Sequence, residues 1–148
     1  MTSDSKTTAT VPRWYQVVAI ASLLWNLLGC ASFGMQVFAQ ETMLESATEA
    51  VQQWYRSIPG WIYFVFAVAV ASGVAGSMGL ILRKGWSVAS LAVSLAAVLI
   101  QMGYSYVIAG GLQVMGPADL VIPGAVTVVA IALFWFSRFA RGAGWLVD

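Results

Sequence analysis

The chain has 148 residues, of which 60% are hydrophobic and only 9% are charged, and its mean hydropathy is +0.83. Soluble domains carry about 25% charged residues, so this composition predicts an integral membrane protein. A formal net charge of +1 gives no electrostatic basis for binding nucleic acid. With no His and a single Cys, the chain has neither an internal disulfide nor a thiolate metal site.

Four apolar segments are long enough to cross a bilayer, which takes about 20 residues of helix. They lie at residues 14–39, 61–82, 86–108 and 120–139, and the first three contain no Asp, Glu, Lys or Arg. We therefore predict an all-α polytopic protein, a four-transmembrane-helix bundle within residues 13–146. The polar residues 1–12 are predicted to form a disordered cytoplasmic tail.

The positions of the basic residues predict the orientation of the bundle. Six of the seven fall on one side of the predicted membrane: Lys6, Arg13, Arg83, Lys84, Arg138 and Arg141. The opposite side carries Arg56 together with several acidic residues. Both termini are therefore predicted to be cytoplasmic.

Residues 22–34, SLLWNLLGCASFG, allow two interpretations of the first apolar segment. Residues 27–30 resemble a lipobox and residues 37–39 an ordinary signal-peptidase site, so the segment could be a cleaved signal. The apolar character, however, continues past Cys30 to Phe38, and no polar linker follows. This length favours a permanent transmembrane helix in which Cys30 is a small packing residue.

Polar residues recur along one face of the first span and one face of the third. The candidate polar intramembrane contacts are Ser22, Asn26, Gln36, Ser94, Gln101 and Tyr104. An amide that faces lipid leaves its polar atoms unsatisfied, so these faces are expected to point into the bundle. Asn26 and Gln101 lie at similar depth and are predicted to form a hydrogen bond. Two roles stay open for the pair, interhelical packing or a polar pocket for a small uncharged molecule, and packing is preferred.

The second span contains small residues at four-residue spacing, namely Ala69, Gly73 and Ser77, with Ser72 and Gly76 alongside. This pattern lets neighbouring helices approach closely and predicts tight packing.

The first loop has a helical pattern of its own. Apolar residues recur at helical spacing over residues 42–57, and Thr42 with Glu45 resembles a capping box. Pro59 and Gly60 end the helix. We predict an amphipathic helix on the non-cytoplasmic face that covers the bundle or meets a partner protein. Its candidate partner surface is Trp54, Tyr55 and Trp61.

Several short motifs resemble those of small four-span inner-membrane proteins of bacteria, some of which carry the label sugar transporter. They are Trp25-Asn26 with Gly29, Pro59-x-Trp61, Gly73 with Gly76, and residues 82–86, 93–95 and 133–138. The resemblance implies a multi-pass protein of the bacterial inner membrane. No established substrate residues exist to carry over from that group.

An enzyme is not expected, because no His or intramembrane carboxylate is present to act as an acid or base. No cofactor is expected either, since haem lacks an axial ligand here. The preferred hypothesis is a non-catalytic interaction or scaffold subunit. The alternative is a small transporter for an uncharged solute such as a sugar, working as a homo-oligomer. The expected partners are the lipid bilayer and either further copies of the chain or other membrane proteins.

Overall fold

A computed structural model describes residues 10–148. The helices follow in chain order as α1 (Arg13–Phe38), α2 (Gln40–Leu44), α3 (Glu49–Ser57), α4 (Gly60–Ile81), α5 (Ser87–Met102), α6 (Gly111–Val114) and α7 (Val121–Gly142). Between α5 and α6, residues 103–108 form a π-helix that continues α5. The predicted tail, residues 1–12, lies mostly outside the described residues.

The predicted all-α four-helix fold is confirmed. Helices α1, α4, α7 and the continuous α5 with its π-helix are long and apolar enough to cross a membrane. The multi-pass membrane class follows from these helices. Helix α1 passes through Cys30 without interruption, as a spanning helix requires. The last span extends to Gly142, beyond the predicted end at residue 139.

The spanning helices form a row in which α4 packs against α1 and α5, and α5 packs against α7. The small residues of α4 make this possible. A Cβ on Gly76 would lie 2.6 Å from the Leu91 side chain, and one on Gly79 would lie 2.8 Å from the Ser87 side chain. Helix α5 can therefore approach the α4 backbone directly, and the predicted tight packing of the second span is confirmed.

One end of the bundle, which we call the basic end, is closed by aromatic side chains. Tyr15 is fully buried there, and its hydroxyl donates a hydrogen bond to the Leu80 carbonyl oxygen at 2.7 Å. The Phe136 ring of α7 lies 6.0 Å from the Trp14 ring and 5.6 Å from the Tyr15 ring. Trp145 packs edge-on against both Trp14 and Tyr15. Helices α1 and α7 are thus joined at this end.

The turn after α4 fixes the C-terminal segment to the same end. Arg83 has a φ of 58°, and the backbone N–H of Lys84 donates to the Gly79 carbonyl at 2.8 Å, as in a Schellman motif. The Arg83 Nε donates to the Trp145 carbonyl at 2.9 Å, while the Arg83 carbonyl accepts from the Val147 N–H at 2.8 Å. The basic end is therefore held by backbone contacts as well as by packing.

The opposite end, which we call the loop end, corrects one prediction. Residues 42–57 form two helices rather than one, because a turn separates α2 from α3. Thr48 caps α3 by accepting a hydrogen bond from the Val51 N–H at 3.4 Å, so the capping box predicted at Thr42 is wrong. The Gln52 amide donates to the carbonyls of Leu44 and Ala47, at 2.9 and 3.1 Å, and this stabilises the turn.

Candidate binding cavity

A cavity of about 1050 Å³ opens between α1 and α7, and its walls come from all four spanning helices and α3. Helices α1 and α7 lie at the two edges of the row and are not packed against each other along their length. Lining residues at this gap stay exposed: Leu28 on α1 is 65% exposed and Ile122 on α7 is 72% exposed. The cavity is therefore closed at the basic end and open along one side.

The two sides of the cavity differ in chemistry. Every residue that α7 contributes is apolar: Ile122, Pro123, Val126, Val129, Ala130 and Leu133. Helices α1 and α5 contribute uncharged polar side chains to the other walls, among them Asn26, Gln36, Ser94 and Gln101. The cavity can therefore bury an apolar surface on one side and offer hydrogen bonds on the other.

The predicted hydrogen bond between Asn26 and Gln101 is wrong. The Asn26 Nδ2 donates to the Ser22 carbonyl at 2.8 Å and to the Ser77 Oγ on α4 at 3.0 Å. The reason is that α4 lies between α1 and α5, so the polar face of α1 meets the second span and not the third. Gly73 makes room for this contact, because a Cβ there would collide with the Asn26 amide oxygen.

Gln36 and Gln101 behave differently from Asn26. Both line the cavity and are partly buried. Among the hydrogen bonds of residues 10–148, none involves either side-chain amide. In the structure, packing therefore uses Asn26, whereas these two amides are free to contact a ligand.

The other three candidate contacts are occupied within the chain. The Ser94 hydroxyl borders the cavity and donates to the Ala69 carbonyl of α4 at 2.8 Å. Ser22 is buried, and its hydroxyl donates to the Ala19 carbonyl within α1 at 2.7 Å. Tyr104 stacks edge-on against Trp61, with ring centroids 5.0 Å apart, and does not line the cavity.

The loop helix was predicted to cover the bundle or to meet a partner through Trp54, and within this chain Trp54 packs onto the bundle. Its side chain is only 6% exposed, and its Nε1 donates to the Ser105 carbonyl at 3.0 Å. Ser105 belongs to the π-helix, a widened turn that the sequence analysis did not identify. The hydrogen bond from Trp54 therefore holds α3 at the loop end of the cavity. By contrast, Trp61 is 49% exposed and remains on the surface.

The cavity carries little charge. Asp119 is the one carboxylate among the described residues that line it, and no described lining residue is Lys or Arg. Burial raises the pKa of Tyr55 above its usual value of 10.0, and the neighbouring Tyr63 raises it further. The Tyr55 phenol at the cavity mouth is thus a neutral donor at physiological pH. Within residues 10–148, no group of three His, Cys, Asp or Glu side chains is placed to hold a metal ion.

Comparison of the chain with protein-family models, with curated proteins and with solved structures found no match. The similarity to small four-span bacterial proteins stays a prediction based on the motifs quoted above.

Proposed function

We propose that the protein is a non-catalytic membrane protein that binds a small uncharged molecule in the cavity between α1 and α7. The observation that carries this proposal is the pair of unpartnered amides, Gln36 and Gln101, in a cavity otherwise walled mainly by apolar groups. Both amides are partly buried and stay accessible from the cavity, so they can bond with a molecule bound there. A ligand with hydrogen-bonding groups supplies the missing partners.

The size and polarity of the cavity support the same proposal. Small-molecule sites are concave, largely apolar and about 300–1,000 Å³ in volume, with a few polar groups that orient the ligand. The cavity, at about 1050 Å³, lies slightly above this range. A charged ligand is disfavoured, because an ion inside a membrane protein needs a counter-charge. Asp119 at the mouth is the one carboxylate among the described lining residues.

Transport of the bound molecule is the second candidate function. A cavity closed at the basic end would correspond to one half of an alternating-access cycle if α3 moved away from the loop end. Movement of solute would require the aromatic contacts of Trp14, Tyr15 and Phe136 to separate. The interaction-subunit hypothesis relied in part on Trp54 as a partner surface. This side chain instead donates a hydrogen bond to Ser105 within the chain.

The proposed location is the bacterial inner membrane, with both termini in the cytoplasm. The basic residues Arg13, Arg83, Lys84, Arg138 and Arg141 support this orientation, because they flank the membrane at one end of the helices. The motif resemblance supports the bacterial assignment.

A thermal-shift screen tests the binding proposal. The purified protein would be melted in mild detergent with a panel of neutral compounds, both water-soluble and membrane-soluble. We expect at least one compound to raise the Tm of the wild type. Gln101→Ala should lose that shift while keeping the basal Tm, since its amide has no structural partner. Gln16→Ala, a matched change of an exposed amide on α1 outside the cavity, should retain it. Equal shifts in all three proteins would contradict the proposal.

A further inference from the structure

We infer that the ligand is a neutral amphiphile that reaches the cavity from within the bilayer, through the gap between α1 and α7. This inference rests on the proposed binding function and adds the class of the ligand and its route.

The first support is the position of the opening. The gap between α1 and α7 runs along the spanning helices, so it faces the acyl chains once the protein is in a membrane. The side chains at the gap are apolar and exposed, including Leu28 and Met35 on α1 and Ile122 on α7. A hydrocarbon chain can occupy such an opening because no polar side chain has to give up water to make room for it.

The second support is that the two ends of the bundle are obstructed. The basic end is closed by the contacts of Tyr15, Phe136 and Trp145. At the loop end, α3 lies across the mouth, and its Val51, Trp54 and Tyr55 side chains form part of the cavity wall. The side gap is therefore the route that neither end of the bundle obstructs.

The third support is the distribution of polar atoms. A freely water-soluble polyol carries hydroxyls on all faces, and those against the apolar α7 wall would have no partner. A molecule with a long apolar body and one uncharged polar group avoids this cost. Its body lies against Val126 and Val129 of α7, and its polar group bonds with Gln101 of the neighbouring α5.

Photolabelling in nanodiscs tests both the route and the ligand class. The full chain is placed in phosphatidylcholine nanodiscs doped with a diazirine-bearing fatty alcohol, irradiated, and mapped by mass spectrometry. The readout is the ratio of labelling at Gln101, inside the cavity, to labelling at Leu99, which is 48% exposed on α5 and outside it. We expect that excess unlabelled fatty alcohol, present during irradiation, lowers the labelling of Gln101. It should leave the labelling of Leu99 unchanged.

A pair of adjacent substitutions provides the matched control. Val129→Phe fills the cavity from α7, whereas Val128→Phe adds the same ring on a 65% exposed position outside it. Val129→Phe should lower displaceable label at Gln101 about fivefold or more, because the ring takes the space of roughly one or two methylene groups of the ligand. Val128→Phe should leave it unchanged. Ala31→Phe fills the cavity from α1 and replaces Val129→Phe if that variant does not fold.

The outcomes separate this inference from the proposed function. Labelling of Gln101 by a water-soluble diazirine polyol but not by the fatty alcohol would overturn the membrane route and leave the binding proposal standing. Fatty-alcohol label that is not displaced, or that Val129→Phe and Val128→Phe affect equally, would also overturn the inference. The proposed function is judged separately, by the thermal shift and its loss in Gln101→Ala.

Discussion

At the scale of single residues, Gly73 is a position at which an added methyl group would collide with a side chain of the neighbouring helix. It lets the Asn26 amide oxygen lie directly against the α4 backbone, in space that a Cβ would occupy. We expect Gly73→Ala to destabilise the bundle by about 1–3 kcal/mol, as overpacking commonly does. Gly124→Ala is the control, because nothing lies within 4 Å of the added Cβ. Melting in detergent measures both, and equal Tm values would show that α1 and α4 are not in close contact.

The partner of Asn26 can be identified by double-mutant cycles. We expect Asn26→Ala and Ser77→Ala to show a coupling energy of about 0.6 kcal/mol and at most about 2, typical of hydrogen bonds between membrane helices. The pair Asn26→Ala and Gln101→Ala should be additive, because no contact joins them. A coupling to Gln101 instead of Ser77 would contradict the order of the helices in the row.

The sequence identified which residues of α1 are polar and that they face inward, but not what they contact. Spacing along one helix gives the face on which Asn26 lies. It does not give which neighbouring helix that face meets, and both Ser77 and Gln101 offer suitable partners. The small residues of α4 indicate the answer, because a helix lined with glycine can pack closely against a neighbour on each side. They place α4 between α1 and α5.

At the scale of elements, the attachment of α3 depends on Trp54. We expect Trp54→Phe to keep the ring packing but lose the hydrogen bond to Ser105, at a cost of about 1 kcal/mol. Backbone amides of α3 should then exchange with deuterium faster than in the wild type, as expected when a local unit is less stable. Trp61→Phe, which alters an exposed ring, is the control and should leave exchange in α3 unchanged. Unchanged exchange in both variants would contradict the attachment of α3 by Trp54.

Gly111 of α6, which lies against Trp54, offers a second test of how α3 is attached. A Cβ at Gly111 would lie 2.9 Å from the Trp54 ring and from the Ser105 carbonyl. We expect Gly111→Ala to displace Trp54 and speed exchange in α3 as Trp54→Phe does. Gly60→Ala, where nothing lies within 4 Å of the new Cβ, should not. Tryptophan fluorescence gives an independent check on the displacement.

The elements were predicted well where the apolar pattern is long and poorly where it is short. The four spans follow from length and hydropathy alone. In the first loop, the apolar spacing continues across the turn between α2 and α3, so the pattern did not reveal the break. Thr48 followed by Glu49 is a helix-start signal, and it marks the true beginning of α3. The π-helix over Gly103–Ile108 has no comparable signal, because its residues continue the apolar helical pattern of α5.

At the scale of the whole molecule, the proposed orientation has a direct test. A reporter fused after Asp148 should be active only on the cytoplasmic side. The same cytoplasm-specific reporter, inserted in the turn between α2 and α3, should be inactive. The mature chain should also retain Cys30 within an uncleaved α1, which its intact mass would reveal. A periplasmic C-terminus, or a mass that begins at a lipidated Cys30, would contradict this topology.

A polar pocket was one of the two roles left open by the sequence, but its α7 wall was not predicted, for a physical reason. Its α7 wall is an apolar stripe, and in a membrane helix such a stripe is equally suited to lipid. Only the arrangement of α1 and α7, joined at one end by aromatic rings and apart elsewhere, places that stripe in the same cavity as Gln36 and Gln101. Sequence reasoning anticipated the uncharged polar residues of the site but not the apolar surface that accompanies them.

Native mass spectrometry of the protein released from the membranes in which it is produced tests the central claim most directly. If the cavity binds an uncharged molecule, the wild type should carry a neutral adduct of one defined mass. Gln16→Ala should carry the same adduct, and Gln101→Ala should carry much less of it at an unchanged Tm. A wild-type chain without any adduct, or an adduct equally abundant in Gln101→Ala, would contradict the account.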